Sequence, residues 1–132
     1  MAKNKKSGSD ELNHLLEKLN QEGNFPISIL TDSHGLALAA AAQPGLDPDR
    51  QSAVVGLVQK TVNQAGRQLG MAGATEFTLH DANGQRLVCR PFAVKDNELI
   101  LAVMVPGREQ SYRRVTSRAI TDICQVWKNY WE

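Results

Sequence analysis

An unbroken apolar run over residues 99–105 constrains the fold of this chain more than any other feature of the sequence. The run reads Leu-Ile-Leu-Ala-Val-Met-Val, and Pro106-Gly107 ends it. A strand that is apolar at every position is buried on both faces, whereas a half-exposed strand alternates apolar and polar residues. The sequence therefore predicts a central β-strand in a sheet that carries helices on both of its faces.

Apolar periodicity and turn residues place the other elements around this central strand. Leucines at helical spacing, with Ser9 as the predicted N-cap, indicate a first helix, and Asp47-Pro48 is typical of the start of a second. Asn83-Gly84 indicates a hairpin turn. The predicted helices cover residues 10–23, 48–69 and 109–132, and the predicted strands cover residues 27–31, 36–41, 75–80, 85–92 and 99–105.

These elements follow the order α-β-β-α-β-β-β-α and predict an α/β (α+β) fold, with a five-stranded antiparallel sheet covered by helices on both faces. Residues 10–132 form one predicted domain, which suits a chain of 132 residues. Residues 1–9, rich in Lys, Asn, Ser and Gly, form a predicted disordered tail. Because no apolar segment follows the tail lysines, we expect no secretory signal and a cytoplasmic protein.

The charge balance argues against a nucleic-acid-binding protein. The chain has 15 basic and 14 acidic residues, with a formal net charge of +1. Lys3, Lys5 and Lys6 lie in the predicted tail, so acidic residues slightly outnumber basic ones in the rest of the chain. A nucleic-acid interface needs clustered positive charge on a folded face. No apolar run approaches the ~20 residues of a membrane-spanning helix, so we expect no membrane span either.

The residue types that carry catalysis or bind cofactors do not form a recognisable motif. Cys89 and Cys124 are far apart, and no CxxC, HExxH or GxxxxGK[ST] pattern occurs, so the sequence predicts no metal, no cofactor and no phosphate-binding loop. Asp32, Ser33 and His34 lie within one tight turn, where a base cannot be oriented by a third group on a separate element. We therefore predict no catalytic residues and a protein that is not an enzyme.

The hairpin over residues 29–39, Ile-Leu-Thr-Asp-Ser-His-Gly-Leu-Ala-Leu-Ala, resembles that of the roadblock/dynein light-chain family. Members of this family typically have an apolar strand, a short Asp/Gly turn and a Leu/Ala strand at this point. The order of elements extends the resemblance over residues 10–126, to a shape related to longin and profilin domains. The aromatic residues at 127–131 depart from the family pattern.

The resemblance implies a homodimer in which the third strands pair edge to edge and the second helices pack together. The sequence is compatible with this arrangement, because strand 75–80 has one polar face and no proline, and an unpaired edge strand is prone to association. The alternative is that helix 48–69 is buried only on its own sheet. The dimer interface implied by the resemblance comprises Val54, Val58, Thr61, Ala65, Glu76, Thr78 and His80.

The resemblance also implies a function, because roadblock proteins bind Ras-like small GTPases as regulators or scaffolds, or link cargo to motors. The predicted partner-binding residues on the second helix are Gln51, Lys60, Gln64, Arg67 and Gln68. A second candidate surface near the C-terminus has residue types that are enriched at binding hot spots. It comprises Arg113, Arg114, Arg118, Trp127, Tyr130 and Trp131. The alternative for this surface is that the aromatic side chains cap the core and the arginines are solvated.

A small-molecule sensor of the PAS-like type is the alternative function. Such sensors hold a ligand in an enclosed cavity under the sheet, with a few converging polar groups. The predicted core is crowded with Val, Leu, Ile and Ala and offers few interior polar residues, which favours the interaction module over the sensor.

Overall fold

The computed structural model describes residues 5–131, with side chains from residue 7 onward. The helices are α1 (Lys5–Gly23), α2 (Pro48–Gln68) and α3 (Arg113–Trp131), and the strands are β1 (Ile27–Asp32), β2 (Ala37–Ala42), β3 (Phe77–His80), β4 (Arg86–Val94) and β5 (Asn97–Val105). The strands form one antiparallel sheet, so the predicted element order and α+β fold class are confirmed.

The strand order across the sheet is β2-β1-β5-β4-β3. The apolar strand β5 is central, as its sequence predicts, and pairs with β1 on one side and β4 on the other. Leu99, Leu101 and Val103 point to one face of the sheet, while Ile100 and Ala102 point to the other, and all five are buried. The two edges of the sheet are therefore β2 and β3.

The two faces of the sheet carry cores of unequal size. On one face, α1 and α3 pack together, and Leu12, Leu16 and Leu19 of α1 are buried in the same cluster as Ile123 of α3. On the other face lies α2, which contacts β1 and β2. Of the residues of α2, all of which are described, Val55 alone is both buried and apolar.

Helix α1 begins at Lys5, five residues earlier than the Ser9 N-cap predicts, so that prediction is wrong. Gly8 is buried against the C-terminal aromatic residues, and a Cβ atom at this position would lie 2.6 Å from Trp131 and 2.9 Å from Tyr130. Tertiary packing of this kind stabilises a helix beyond what its local sequence indicates. Residues 5–9 of the predicted disordered tail are thus helical, and residues 1–4 lie outside the described residues.

Helix α3 begins at Arg113, not near Glu109 as the sequence predicts. Gln110 holds the preceding segment in a turn, since its Oε1 accepts from the N–H of Gly107 at 2.9 Å and its Nε2 donates to the carbonyl of Gly23 at 2.6 Å. These bonds tie the segment to the end of α1. The helix start is therefore set by a tertiary contact that no local pattern reveals.

Candidate protein-interaction surface

Helix α2 presents small and polar residues to the sheet. Its buried residues are Ser52, Val55 and Gln59. The Ser52 hydroxyl donates to the carbonyl of Pro48 at 2.7 Å, and Gln59 Nε2 donates to Oδ1 of Asn63 at 3.1 Å, so both donors are satisfied within the helix. A surface helix normally buries its apolar face against the core. Helix α2 instead uses little of its apolar surface on its own sheet.

A pair of glycines fixes which side of α2 meets the β1–β2 turn. A Cβ atom on Gly35 would lie 2.8 Å from the Cα of Gly56, and one on Gly56 would lie 2.7 Å from the carbonyl oxygen of His34. Gly35 also has a φ of 86°, which glycine adopts without strain. Any side chain at either glycine would push the turn and the helix apart, so this contact orients α2.

Another side of α2 carries a stripe of three apolar residues and one threonine, all of them exposed except Val58, which is half-buried. Val54, Val58, Thr61 and Ala65 recur at the spacing i, i+4, i+7 and i+11, which places them along one side of the helix; we call these four residues the α2 stripe. Val54 is 40% exposed, and Leu57 beside the stripe is 67% exposed. Clustered exposed apolar side chains are typical of an interaction surface.

A groove of about 580 Å³ lies between the C-terminal half of α2 and residues 71–76, which lead into β3. Val62, Leu69 and Met71 line it and extend the apolar surface of α2, and Leu69 and Met71 are exposed. The groove lies beside α2 and is open to solvent, whereas the PAS-like alternative expects an enclosed cavity beneath the sheet.

Strand β3 forms the sheet edge next to this groove. It begins at Phe77, two residues after the predicted start, and pairs only with β4 among the described strands. Phe77 is half-buried in the core on the α2 side, whereas Leu79 on the same side is 60% exposed. The outer edge of β3 therefore presents unpaired backbone N–H and C=O groups beside an exposed apolar side chain.

The structure distributes the predicted dimer residues over several positions. Four of them form the α2 stripe. Thr78 and His80 lie on β3, but their side chains point to the sheet face that α1 and α3 cover, because they alternate with Phe77 and Leu79. Glu76 precedes the strand.

Glu76 turns its side chain toward α3. Its Oε2 accepts from the Tyr112 hydroxyl at 2.8 Å and lies 3.9 Å from Nη2 of Arg113, while its Oε1 lies 3.8 Å from Nε of Arg90. Partial burial raises the pKa of Tyr112, and the hydrogen bond to the Glu76 carboxylate raises it further. The Glu76 carboxylate is thus hydrogen-bonded within the chain through Oε2, whereas Oε1 is buried and has only the ion pair with Arg90.

Most of the predicted partner-binding residues share one exposed flank of α2. Lys60, Gln64, Arg67 and Gln68 are all exposed, and their helical spacing places them on the side away from the sheet. We call these four residues the α2 polar flank. Gln51 is half-buried near the start of the helix and lies on a different side.

Leu69, Met71 and Leu79 belong to the exposed apolar surface, although the sequence prediction of the site did not include them. Leu69 continues the helical period of α2, and Leu79 lies on the apolar side of the predicted strand, so the sequence pattern could have placed both in the site. Met71 lies between two glycines in the segment after α2 and had none.

The aromatic residues of the second candidate surface are packed within the chain. Trp127 and Trp131 stack with their ring centroids 4.7 Å apart and pack against the core formed by α1 and α3. Tyr130 is buried, and its hydroxyl donates to Glu11 at 2.6 Å. These contacts support the alternative in which the aromatic side chains cap the core.

The described residues show no arrangement suited to a metal. Over residues 5–131, no group of three or more His, Cys, Asp or Glu side chains could hold a metal ion.

The candidate reactive side chains have structural surroundings. Burial raises the pKa of Cys89 to about 12, so its thiol is not ionised at neutral pH. Asp32 Oδ1 accepts from the N–H groups of His34 and Leu36 at 2.9 and 3.0 Å, which stabilises the turn. Among the helices of residues 5–131, none is long and apolar enough to cross a membrane.

No protein-family model and no curated protein sequence matches this chain. Solved structures do match it. MglB from Myxococcus xanthus shares 16% identity at a TM-score of 0.75, over 89% of this chain and 95% of that one. The gliding protein mglB from Thermus thermophilus shares 15% identity at a TM-score of 0.73, over 92% and 91%. A Roadblock/LC7 domain from Streptomyces avermitilis shares 18% identity at a TM-score of 0.63, over 88% and 93%. The resemblance seen in the sequence is thus confirmed at the level of the fold, and the chain has a roadblock-type fold.

Proposed function

We propose that this chain is a non-enzymatic, homodimeric interaction module of the cytoplasm that binds a Ras-like small GTPase and regulates or scaffolds it. The observation that carries the proposal is the orientation of α2, which turns Ser52, Val55 and Gln59 to its own sheet and leaves most of the α2 stripe exposed. A second copy of the chain can bury that stripe. The roadblock fold supports the choice of partner, because proteins of this family bind Ras-like GTPases.

Pairing of two β3 strands explains how the two α2 helices would meet. β3 ends the sheet, and two copies can pair antiparallel about a two-fold axis perpendicular to the sheet. Such an axis keeps both α2 helices on the same face of the joined sheet. Leu79 would lie next to the axis, and the groove residues Leu69 and Met71 lie between α2 and this edge, where a partner helix would cover them.

The α2 polar flank is the proposed contact with the GTPase. In the dimer, two copies of Lys60, Gln64 and Arg67 would border a surface whose apolar centre is the pair of α2 helices. An apolar centre with a polar rim is the usual composition of a protein–protein interface.

Mass in solution, measured by light scattering across a dilution series, tests the dimer. We expect the native chain to be dimeric and the Val58→Arg variant to be a folded monomer, because the new charge would have to be buried between the helices. Gln64→Arg is the matched control, since it adds the same charge to the same helix outside the α2 stripe, and it should remain dimeric. A native chain that stays monomeric at high concentration, or a folded Val58→Arg variant that stays dimeric, contradicts the proposal.

Calorimetric titration with a purified Ras-like GTPase of the same organism, loaded with GDP or with a GTP analogue, tests the partner. We expect the double variant Lys60→Glu/Arg67→Glu to bind about tenfold more weakly or worse, with unchanged dimer mass. Equal binding by the native chain and the variant removes the α2 polar flank from the interface. Absence of binding in both nucleotide states contradicts the proposed partner.

A further inference from the structure

Glu76 lies directly before the first residue of β3, and its carboxylate contacts side chains on the sheet face that α1 and α3 cover. Tyr112 donates to it at 2.8 Å, and Arg90 and Arg113 lie 3.8 and 3.9 Å away. The side chains of Glu76 and Arg90 are 24% and 19% exposed, so their pairing is shielded from most of the solvent. We call these four residues the Glu76 cluster.

Arg90 is fixed in turn by the start of α3. Its Nη1 donates to the hydroxyls of Thr116 and Ser117, each at 2.8 Å, and to the carbonyl of Arg113 at 3.2 Å. Arg90 belongs to β4, the strand that pairs with β3. The Glu76 cluster therefore connects the segment before β3 to both β4 and α3.

Apart from the Glu76 cluster, the start of β3 is fixed by its pairing with β4 and by few apolar side chains of its own. The strand has four residues, and Leu79 is exposed, so Phe77 is its main apolar anchor among the described residues. The segment before it is rich in small residues, and a Cβ atom on Gly70 or Gly73 would meet nothing within 4 Å. Glycines that are not constrained by packing leave the backbone with high conformational freedom.

We propose that Glu76 is a positioning residue, which fixes the start of β3 so that the outer edge of the strand is already formed before a second copy pairs with it. The inference rests on the proposed dimer. If the edge is already ordered in the monomer, less conformational entropy is lost when two copies associate. This role differs from the one implied by the family resemblance, in which Glu76 contacts the partner directly.

Two variants of graded severity test the role of the cluster. Glu76→Gln removes the charge that faces Arg90 and Arg113 but keeps an oxygen that can accept from Tyr112. Tyr112→Phe removes only the hydroxyl and carries the test if Glu76→Gln does not fold. Glu98→Gln is the matched control, because Glu98 is an exposed glutamate on β5.

Two readouts separate positioning from direct contact. The first is the dissociation constant of the dimer, which we expect to rise about tenfold or more in Glu76→Gln and by less in Tyr112→Phe. The second is amide hydrogen exchange of β3 in the Val58→Arg monomer. Adding Glu76→Gln to that monomer should speed exchange of the β3 amides and leave the amides of β1 and β5 unchanged.

A weaker dimer with unchanged exchange in the monomer would overturn the positioning role, because Glu76 would then act by touching the partner. An unchanged dissociation constant together with unchanged exchange in both variants would overturn any role of the cluster at this edge. A monomeric native chain would overturn the proposed function, and the exchange measurement would then decide separately whether Glu76 fixes β3.

Discussion

The two edge strands of the sheet, β2 and β3, differ in how far the rest of the chain covers them. Along β2, α1 packs against the strand, and its side chains bond the edge: the N–H of Ala40 donates to Asn13 Oδ1 at 3.0 Å, and Asn20 Nδ2 donates to the carbonyl of Ala41 at 3.0 Å. Along β3, the sheet ends at a short strand with Leu79 exposed. Proteins usually cover the open edges that they do not use for pairing. Side chains of α1 thus bond part of the β2 strand within the chain, whereas the outer edge of β3 has no partner strand among the described residues.

The helices repeat this contrast. Helix α1, which packs against β2, is anchored by three buried leucines, whereas α2 buries a single apolar residue and leaves most of its stripe exposed. Among the described residues, most of the exposed large apolar side chains lie on α2, on the segment after it and on β3, whereas Leu36 and Leu46 lie in the loops before β2 and α2. The exposed apolar surface on α2 and β3 is what a second copy of the chain would use.

The largest expected effect comes from loosening the helix that covers β2. Leu16 has no exposed surface, so Leu16→Ala should lower the free energy of unfolding by about 2–5 kcal/mol. Denaturant unfolding in the Val58→Arg monomer measures this loss without a contribution from association. Leu57→Ala, on the exposed side of α2, is the control and should change the same free energy by less than about 0.5 kcal/mol. Equal losses would contradict the unequal anchoring of the two helices.

A smaller effect is expected from uncovering the β2 edge. Asn13→Ala leaves the N–H of Ala40 without its side-chain acceptor and should cost about 1 kcal/mol in the free energy of unfolding. The edge would also become able to pair, so the Val58→Arg monomer should gain weak self-association when Asn13→Ala is added. Gln21→Ala, at an exposed position on the same helix, is the matched control. Unchanged stability would show that Asn13 does not close this edge.

The smallest effect is a difference in thiol reactivity that reports opening of β3. Cys89 on β4 pairs with Phe77, and burial raises its pKa to about 12, so it holds almost no thiolate at pH 8. Cys124 is partly exposed. Mass spectrometry after alkylation at pH 8 should show Cys124 modified first, and Glu76→Gln should speed the modification of Cys89. Equal rates for the two thiols in the native chain would mean that β3 does not protect Cys89.

Much of the fold could be predicted because its signals are local. Asp47 caps α2 as predicted and accepts from the N–H groups of Asp49 and Arg50 at 3.1 and 3.3 Å. The apolar run at residues 99–105 lies in the central strand for the same reason, since its pattern depends only on its own residues.

The starts of α1 and α3 could not be predicted, because residues far away in the sequence determine them. Gly8 packs on Trp131 at the other end of the chain, and Gln110 donates to the carbonyl of Gly23. Neither contact leaves a periodic or capping signal near the helix that it affects.

The candidate site was predictable on its helix and less so on its strand. The α2 stripe follows from helical spacing, but the side of α2 that meets the sheet is set by the contact of Gly56 with the β1–β2 turn. The direction of the Glu76 side chain depends on Tyr112, which lies 36 residues later in the sequence. Contacts between residues so far apart in the sequence can be identified only in the folded structure.

Amide hydrogen exchange at several protein concentrations tests most directly the central claim, that the β3 edge pairs with a second copy and the β2 edge does not. We predict that exchange of the β3 amides that do not bond to β4 slows as concentration rises and the dimer forms. Exchange of the Ala40 amide should not depend on protein concentration, because its N–H already donates to Asn13 Oδ1 within the chain. A dimer, identified by its mass, whose β3 amides exchange as fast as those of the Val58→Arg monomer would contradict the account.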